Sequence, residues 1–109
     1  MKRGDIWTVA GGGAYAGKPR PVVIVQDDHF SDIESVTVCP FTTNPLSPQL
    51  FRVAVEPIET SGLQQASWLM ADKLTTVPKD KFGRRIGRLD DETMLRLNRA
   101  MLVFLGLAG

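Results

Sequence analysis

The 109 residues are 43% apolar, 23% charged and 7% aromatic, enough for one core and too few for two, so a single domain over residues 1–109 is expected. Lys and Arg number 13 against 12 Asp and Glu, a formal net charge of +1, which excludes a histone-like protein and a highly charged disordered chain and leaves room only for a local basic patch. A lone cysteine, Cys39, and a lone histidine, His29, exclude an intramolecular disulfide and a Cys/His zinc centre, so neither a metal nor a cofactor is expected.

In chain order, Ile6 to Val9 is rich in β-formers, and the apolar stretch it opens, ending at Ala10, is too short for the core of a signal peptide. The longest near-continuous apolar run, Ala100 to Ala108, falls far below the roughly 20 residues that span a bilayer. A cytoplasmic location with no membrane partner is the expectation. Residues 10–19 read as a flap loop, because the three adjacent glycines from Gly11 leave the backbone too free for regular structure. Val22 to Val25 and Val36 to Cys39 are dense in β-branched residues and predict two central strands. The turn-rich Asp27 to Asp32 links them, and the two prolines of Asn44 to Pro48 make a further loop.

Phe51, Val53 and Val55 alternate as in a strand that Pro57 ends, and Ser67 to Met70 predicts another after the turn-prone Thr60-Ser61-Gly62. A short strand is expected around Ile86, flanked by Arg84, Arg85 and Arg88. Only the C-terminus reads as helix, over about residues 90–107: Asp90 serves as N-cap, Leu89 and Met94 occupy the staple positions, and Met94, Leu97, Met101 and Phe104/Leu105 recur at helical spacing. Leu102, Val103 and Leu107 widen its apolar stripe, which either a dimer partner or the chain's own sheet would cover. Five or six short strands followed by one helix predict a mainly β fold with a C-terminal helix, a small SH3-like β-barrel. No helical segment separates the strands, so a doubly wound α/β fold is excluded.

Three features bear on chemistry. The glycine run is not a phosphate loop, since Lys18-Pro19-Arg20-Pro21 leads from it into a strand and not into a helix. Arg20, stiffened by a proline on each side, presents a planar fork of donors suited to a phosphate, or reads as an ordinary surface arginine in a salt bridge. Thr42 and Thr43 set hydroxyls at the end of a strand, where they serve either a phosphate or a turn.

Lys2-Arg3-Gly4-Asp5-Ile6-Trp7, the stretch from Lys18 to Asp28 and Val36 to Thr42 occur in an order and spacing that resemble the MazF/PemK toxin family. The likeness continues more loosely through Ser67 to Leu74 and Gly87 to Glu92. It implies a homodimeric barrel, sequence-selective cleavage of single-stranded RNA, and inhibition by a cognate antitoxin that occupies the RNA groove. The catalytic arginine of the family falls on Arg20, its strand-end threonine on Thr42, and an acidic residue of some PemK-like members on Asp72; Thr43 lies where some members have serine. Read on its own sequence, Asp72 is equally a partner for Lys73 or Arg88. The first loop lacks the histidine of some members, is shorter and richer in glycine, and places Pro19 before the arginine, which bears on substrate sequence and on the acid/base assignment. A weaker similarity, through Ser67-Trp68, Met70, Val77-Pro78 and the apolar ending, is to the CcdB gyrase poisons, but no tryptophan precedes Gly109. A non-catalytic SH3-like peptide-binding module is the third reading.

RNA brings its own nucleophile, the 2′-hydroxyl, so the lack of a metal cluster is no obstacle. The site must stabilise charge on the phosphorane and assist two proton transfers. Arg20 suits the first task and is too weak an acid to act as base. The products would be a 2′,3′-cyclic phosphate and a 5′-hydroxyl. Lys18, Lys73, Arg84, Arg85 and Arg88 are candidates for tracking the RNA backbone and Tyr15 for stacking a base, whereas alternation turns Phe41 into the core. Trp7 and Trp68 read as core or dimer-interface residues.

Overall fold

The computed structural model describes residues 1–10, 18–44 and 51–108; Tyr15 and most of the expected flap lie outside the described residues. Among the described residues, seven strands and one α-helix follow one another: β1 (Asp5–Val9), β2 (Arg20–Ile24), β3 (Ser35–Thr42), β4 (Arg52–Val55), β5 (Ser67–Met70), β6 (Thr75–Pro78), β7 (Phe82–Arg88) and α1 (Asp91–Phe104). The sheet runs β4-β5-β3-β2-β1-β7, with β6 alongside β3. Every pairing is antiparallel. The fold is thus mainly β with a C-terminal helix, and its sheet curls without closing.

Strand β3 organises the bend. Ser35 to Val38 pair with β6, Phe41 and Thr42 pair with β5, and Val38 to Pro40 pair with β2. Pro40 falls between the β6 and β5 partnerships, a place compatible with its missing N–H. Strand β6 has little apolar signal of its own, being Thr-Thr-Val-Pro with three exposed residues, which is why the periodicity does not predict it.

Both faces of the central strands are covered, as their near-continuous apolar sequences require. Ile6, Val23, Cys39 and Leu69 face α1 and pack with its Leu97 and Ala100. Their neighbours along the strands, Val22, Ile24, Val36 and Val38, form a second cluster on the other face with Trp7, Val77 and Phe82. Trp7 meets Phe82 edge-on at 6.1 Å. Leu97 is fully buried, a burial that contributes about 1.5–3 kcal/mol.

Asp90 caps α1, its carboxylate accepting the Thr93 N–H at 2.7 Å. The helix stops at Phe104, short of residue 107, because Gly106 turns left-handed at φ +74°. The N–H groups of Gly106 and Leu107 then reach back to the carbonyls of Val103 and Leu102, a Schellman closure that ends the helix despite continuing apolar residues. Leu95, Leu102, Val103, Leu105 and Leu107 remain exposed. Among the described residues no helix is long and apolar enough to cross a membrane.

Candidate functional site

Arg20 is the first residue of β2 and stands opposite Val9 of β1. Strand alternation puts it on the same face as Val22 and Ile24, away from α1. Val22 pairs with Pro40, and Thr42, two residues further along β3, ends that strand on the same face. Between these strand ends lies an open groove of about 700 Å³, whose lining includes Arg20, Thr42, Thr43, Asn44, Arg52 and Lys73. Two of the three residues that the resemblance makes catalytic, Arg20 and Thr42, therefore meet in one groove.

The Thr42 hydroxyl oxygen accepts the N–H of Asn44 at 3.2 Å. A hydroxyl that accepts in this way keeps its own hydrogen to donate, so the turn contact and a phosphate contact are compatible. Lys73 reaches the groove from the short 3₁₀ turn Ala71–Lys73. Phe41 packs against the helix-side core and also borders the groove.

Asp72 stands elsewhere. Its two carboxylate oxygens accept from Nε and Nη2 of Arg52 at 3.0 and 3.1 Å, so its partner is neither Lys73 nor Arg88. It is absent from the groove lining, whereas Arg52 belongs to it. The pair is largely buried, 19% and 16% exposed, and the guanidinium carbon sits 5.9 Å from the centre of the Phe51 ring. Both carboxylate oxygens of Asp72 are thus engaged by one guanidinium. Among the described residues the groove is lined by no carboxylate and no imidazole, and its charged groups are Arg20, Arg52 and Lys73.

Among the described residues, the remaining candidates do not line the groove. Lys18 is exposed two residues before Arg20. Arg84, Arg85 and Arg88 lie on β7, across β1 from β2, and Arg85 is paired with Asp5 at 3.2 Å. Trp7 belongs to the second core, where its indole N–H has no partner among the described residues. Arg52 has no signal in the sequence: alternation of Phe51, Val53 and Val55 turns it away from the core, the usual position of a solvated charge. Cys39 is fully buried, and desolvation pushes its thiol up to about 12, which excludes it as a nucleophile.

An open antiparallel sheet with one capping helix and a cationic, hydroxyl-bearing groove at its strand ends is the class of site defined here. The chain belongs to the PemK-like, MazF-like family of toxins of type II toxin–antitoxin systems, whose model matches residues 2–105. It is 54% identical over 109 residues to a probable endoribonuclease MazF of Mycolicibacterium smegmatis, covering 100% of both chains. With endoribonuclease MazF9 of Mycobacterium tuberculosis it shares 28% identity over 116 residues, 98% of each chain. Among solved structures, an endoribonuclease in complex with its cognate antitoxin from mycobacterial species superposes with a TM-score of 0.84 at 24% identity, over 100% of this chain and 98% of that one. The Mycobacterium tuberculosis toxin MazF-mt6 gives 0.81 at 27% identity, over 96% and 99%.

Proposed function

We propose that this MazF-family endoribonuclease cuts single-stranded RNA without a metal, using the 2′-hydroxyl of the RNA as nucleophile. The observation that carries the reading is the groove itself: Arg20, Arg52 and Lys73 line it together with the hydroxyls of Thr42 and Thr43, with no carboxylate or imidazole among its described residues. Such a groove stabilises developing negative charge and offers no strong general base. The 2′-oxygen attacks the adjacent phosphorus, the bond from phosphorus to the 5′-oxygen breaks, and the products are a 2′,3′-cyclic phosphate and a 5′-hydroxyl. The proton of the 2′-hydroxyl passes to solvent hydroxide or water, and the departing 5′-oxygen takes a proton from solvent water to become the 5′-hydroxyl. Arg20 neutralises the phosphorane, and Thr42 donates its hydrogen to a non-bridging oxygen. Thr43 and Lys73 hold flanking phosphates, and exposed Lys18, Arg84, Arg85 and Arg88 extend the basic track beyond the groove, with Tyr15 as the stacking residue.

A relative of the same fold is found in complex with its cognate antitoxin. The partner proposed for this chain is likewise a cognate antitoxin, which neutralises it by filling the RNA groove. A second copy of the chain covers the apolar residues left exposed on α1, and the toxin acts in the cytoplasm, where its RNA substrate lies. The gyrase-poison and peptide-module readings are left without a supporting observation. Arg20→Ala tests the reading, because Arg20 is exposed and contributes little to stability. Cleavage is expected to fall at least about a hundredfold with unchanged thermal melting; a fully active variant contradicts the assignment.

A further inference from the structure

We infer that Arg52 is a second RNA-phosphate contact of the groove, and that Asp72 acts as the positioning residue that holds it there, not as the proton acceptor of the reaction. This rests on the proposed cleavage of RNA in the groove.

Three observations carry it. Arg52 lines the groove while Asp72 does not, so of the paired residues it is the arginine that borders a substrate in the groove. The two side chains form a fork, Nε to Oδ1 at 3.0 Å and Nη2 to Oδ2 at 3.1 Å. That engages two of the five N–H donors of the guanidinium and leaves the others for a ligand. Both carboxylate oxygens are occupied by the same partner, which leaves Asp72 badly placed to take a proton from a hydroxyl in the groove.

The pair is also built into the sheet. Arg52 stands opposite Met70 in the β4–β5 register, and Asp72 follows Met70 by two residues in the turn Ala71–Lys73. The Ala71 N–H donates to the Phe51 carbonyl at 3.0 Å, tying that turn to the residue before Arg52. The Phe51 ring, 5.9 Å from the guanidinium carbon, limits the head group from another side. An arginine held this way loses little further side-chain freedom when it grips an anion, and such preorganisation favours binding.

The test uses Arg52→Gln, Arg52→Lys, Asp72→Asn and the double variant Arg52→Gln/Asp72→Asn, each checked for folding by thermal melting. Cleavage is measured on a single-stranded oligonucleotide that the unaltered protein cuts, chosen from a mixed-sequence pool. Binding is measured on the same sequence carrying 2′-O-methyl groups throughout, at several salt concentrations. Arg52→Gln is expected to raise KM and Kd about tenfold and to flatten the dependence of log Kd on log salt by about 0.7. Its kcat is expected to stay within about twofold, as for binding shared by ground and transition states. Arg52→Lys keeps the salt slope and still binds more weakly, because a point charge cannot keep the fork. Asp72→Asn moves KM in the same direction as Arg52→Gln, and the double variant is no worse than Arg52→Gln, since both changes break one interaction.

A loss of kcat of about a hundredfold in Asp72→Asn at unchanged KM would make Asp72 the proton acceptor and overturn the inference. So would an unchanged KM and salt slope in Arg52→Gln, or, if that variant fails to fold, an unchanged KM in Arg52→Lys. If the unaltered protein cuts no RNA, the proposed function fails first and this inference with it. If it cuts RNA and the Arg52 variants match it, this inference alone fails.

Discussion

The hydroxyl of Thr42 accepts the backbone N–H of Asn44 at 3.2 Å, so the last residue of β3, which lines the groove, closes the turn beyond the strand and keeps its hydroxyl hydrogen to donate. Thr42→Val keeps the β-branched shape and removes the hydroxyl. It should lower kcat/KM for RNA cleavage by about a hundredfold, the typical loss of one transition-state donor. Thr42→Ser should stay within about tenfold of the unaltered protein. Equal activity of the valine and serine variants would remove Thr42 from the site.

Gly87 in β7 lies against Ser61, and a β-carbon added there would stand 2.3 Å from the Ser61 carbonyl oxygen. The contact is between backbones, which a rotamer change cannot relieve, because the loop is tied down by the Arg88 N–H to the Thr60 carbonyl at 2.8 Å. Gly87→Ala should therefore cost roughly 2–3 kcal/mol. Gly106→Ala, with a positive φ but nothing within 4 Å, should cost only about 1 kcal/mol of left-handed strain. Urea unfolding of both variants checks the order, and a Gly87→Ala protein as stable as Gly106→Ala would refute the close approach.

The carboxylate of Asp90 is held below its ordinary value of 3.8, first by the Thr93 backbone N–H and then by the Thr93 side chain. A carboxyl whose folded value is depressed contributes stability that is complete above its unfolded value and fades as pH falls through the folded one. Asp90→Ala should thus cost about 1 kcal/mol near neutral pH, and the gap to the unaltered protein should narrow as the pH drops below 3.8. Asp90→Asn, an equally good cap without a titrating group, should keep its advantage over alanine across that range. Thermal melting from pH 7 to pH 2.5 tests this, and a pH-independent gap would contradict it.

Burial raises the Cys39 thiol to about 12, so at pH 8 it carries almost no thiolate and no path for a reagent. Labelling by a disulfide reagent such as DTNB should occur only once the protein is unfolded. Rapid stoichiometric reaction of the native protein would show that β3 is not packed as described.

The local signals in the sequence account for the parts of the molecule that local signals build. Val22 to Ile24 and Val36 to Cys39 lie in strands because β-branched residues suit a pleated surface covered on both faces. Arg20 and Thr42 are legible because each marks the end of such a strand. The Arg52–Asp72 fork is not, since it joins residues 20 positions apart and depends on the β4–β5 register, which no local pattern specifies. Strand β6 carries no local signal for a related reason: Thr75 to Val77 become a strand by pairing with β3, not by an apolar alternation of their own. The sequence pattern extends the helix to residue 107 because the apolar run continues through Leu105 to Leu107 across Gly106, where a single left-handed residue overrides it.

The most direct measurement is incubation of the purified protein with mixed-sequence single-stranded RNA in EDTA, beside the same oligonucleotides carrying 2′-deoxy sugars, with end-group analysis of the fragments. Cleavage in EDTA that leaves 2′,3′-cyclic phosphates and 5′-hydroxyls, and that vanishes on the deoxy substrate, is the predicted result. Cleavage that needs a divalent cation, or that persists on the deoxy substrate, would contradict a metal-free groove that relies on the nucleophile of the RNA itself.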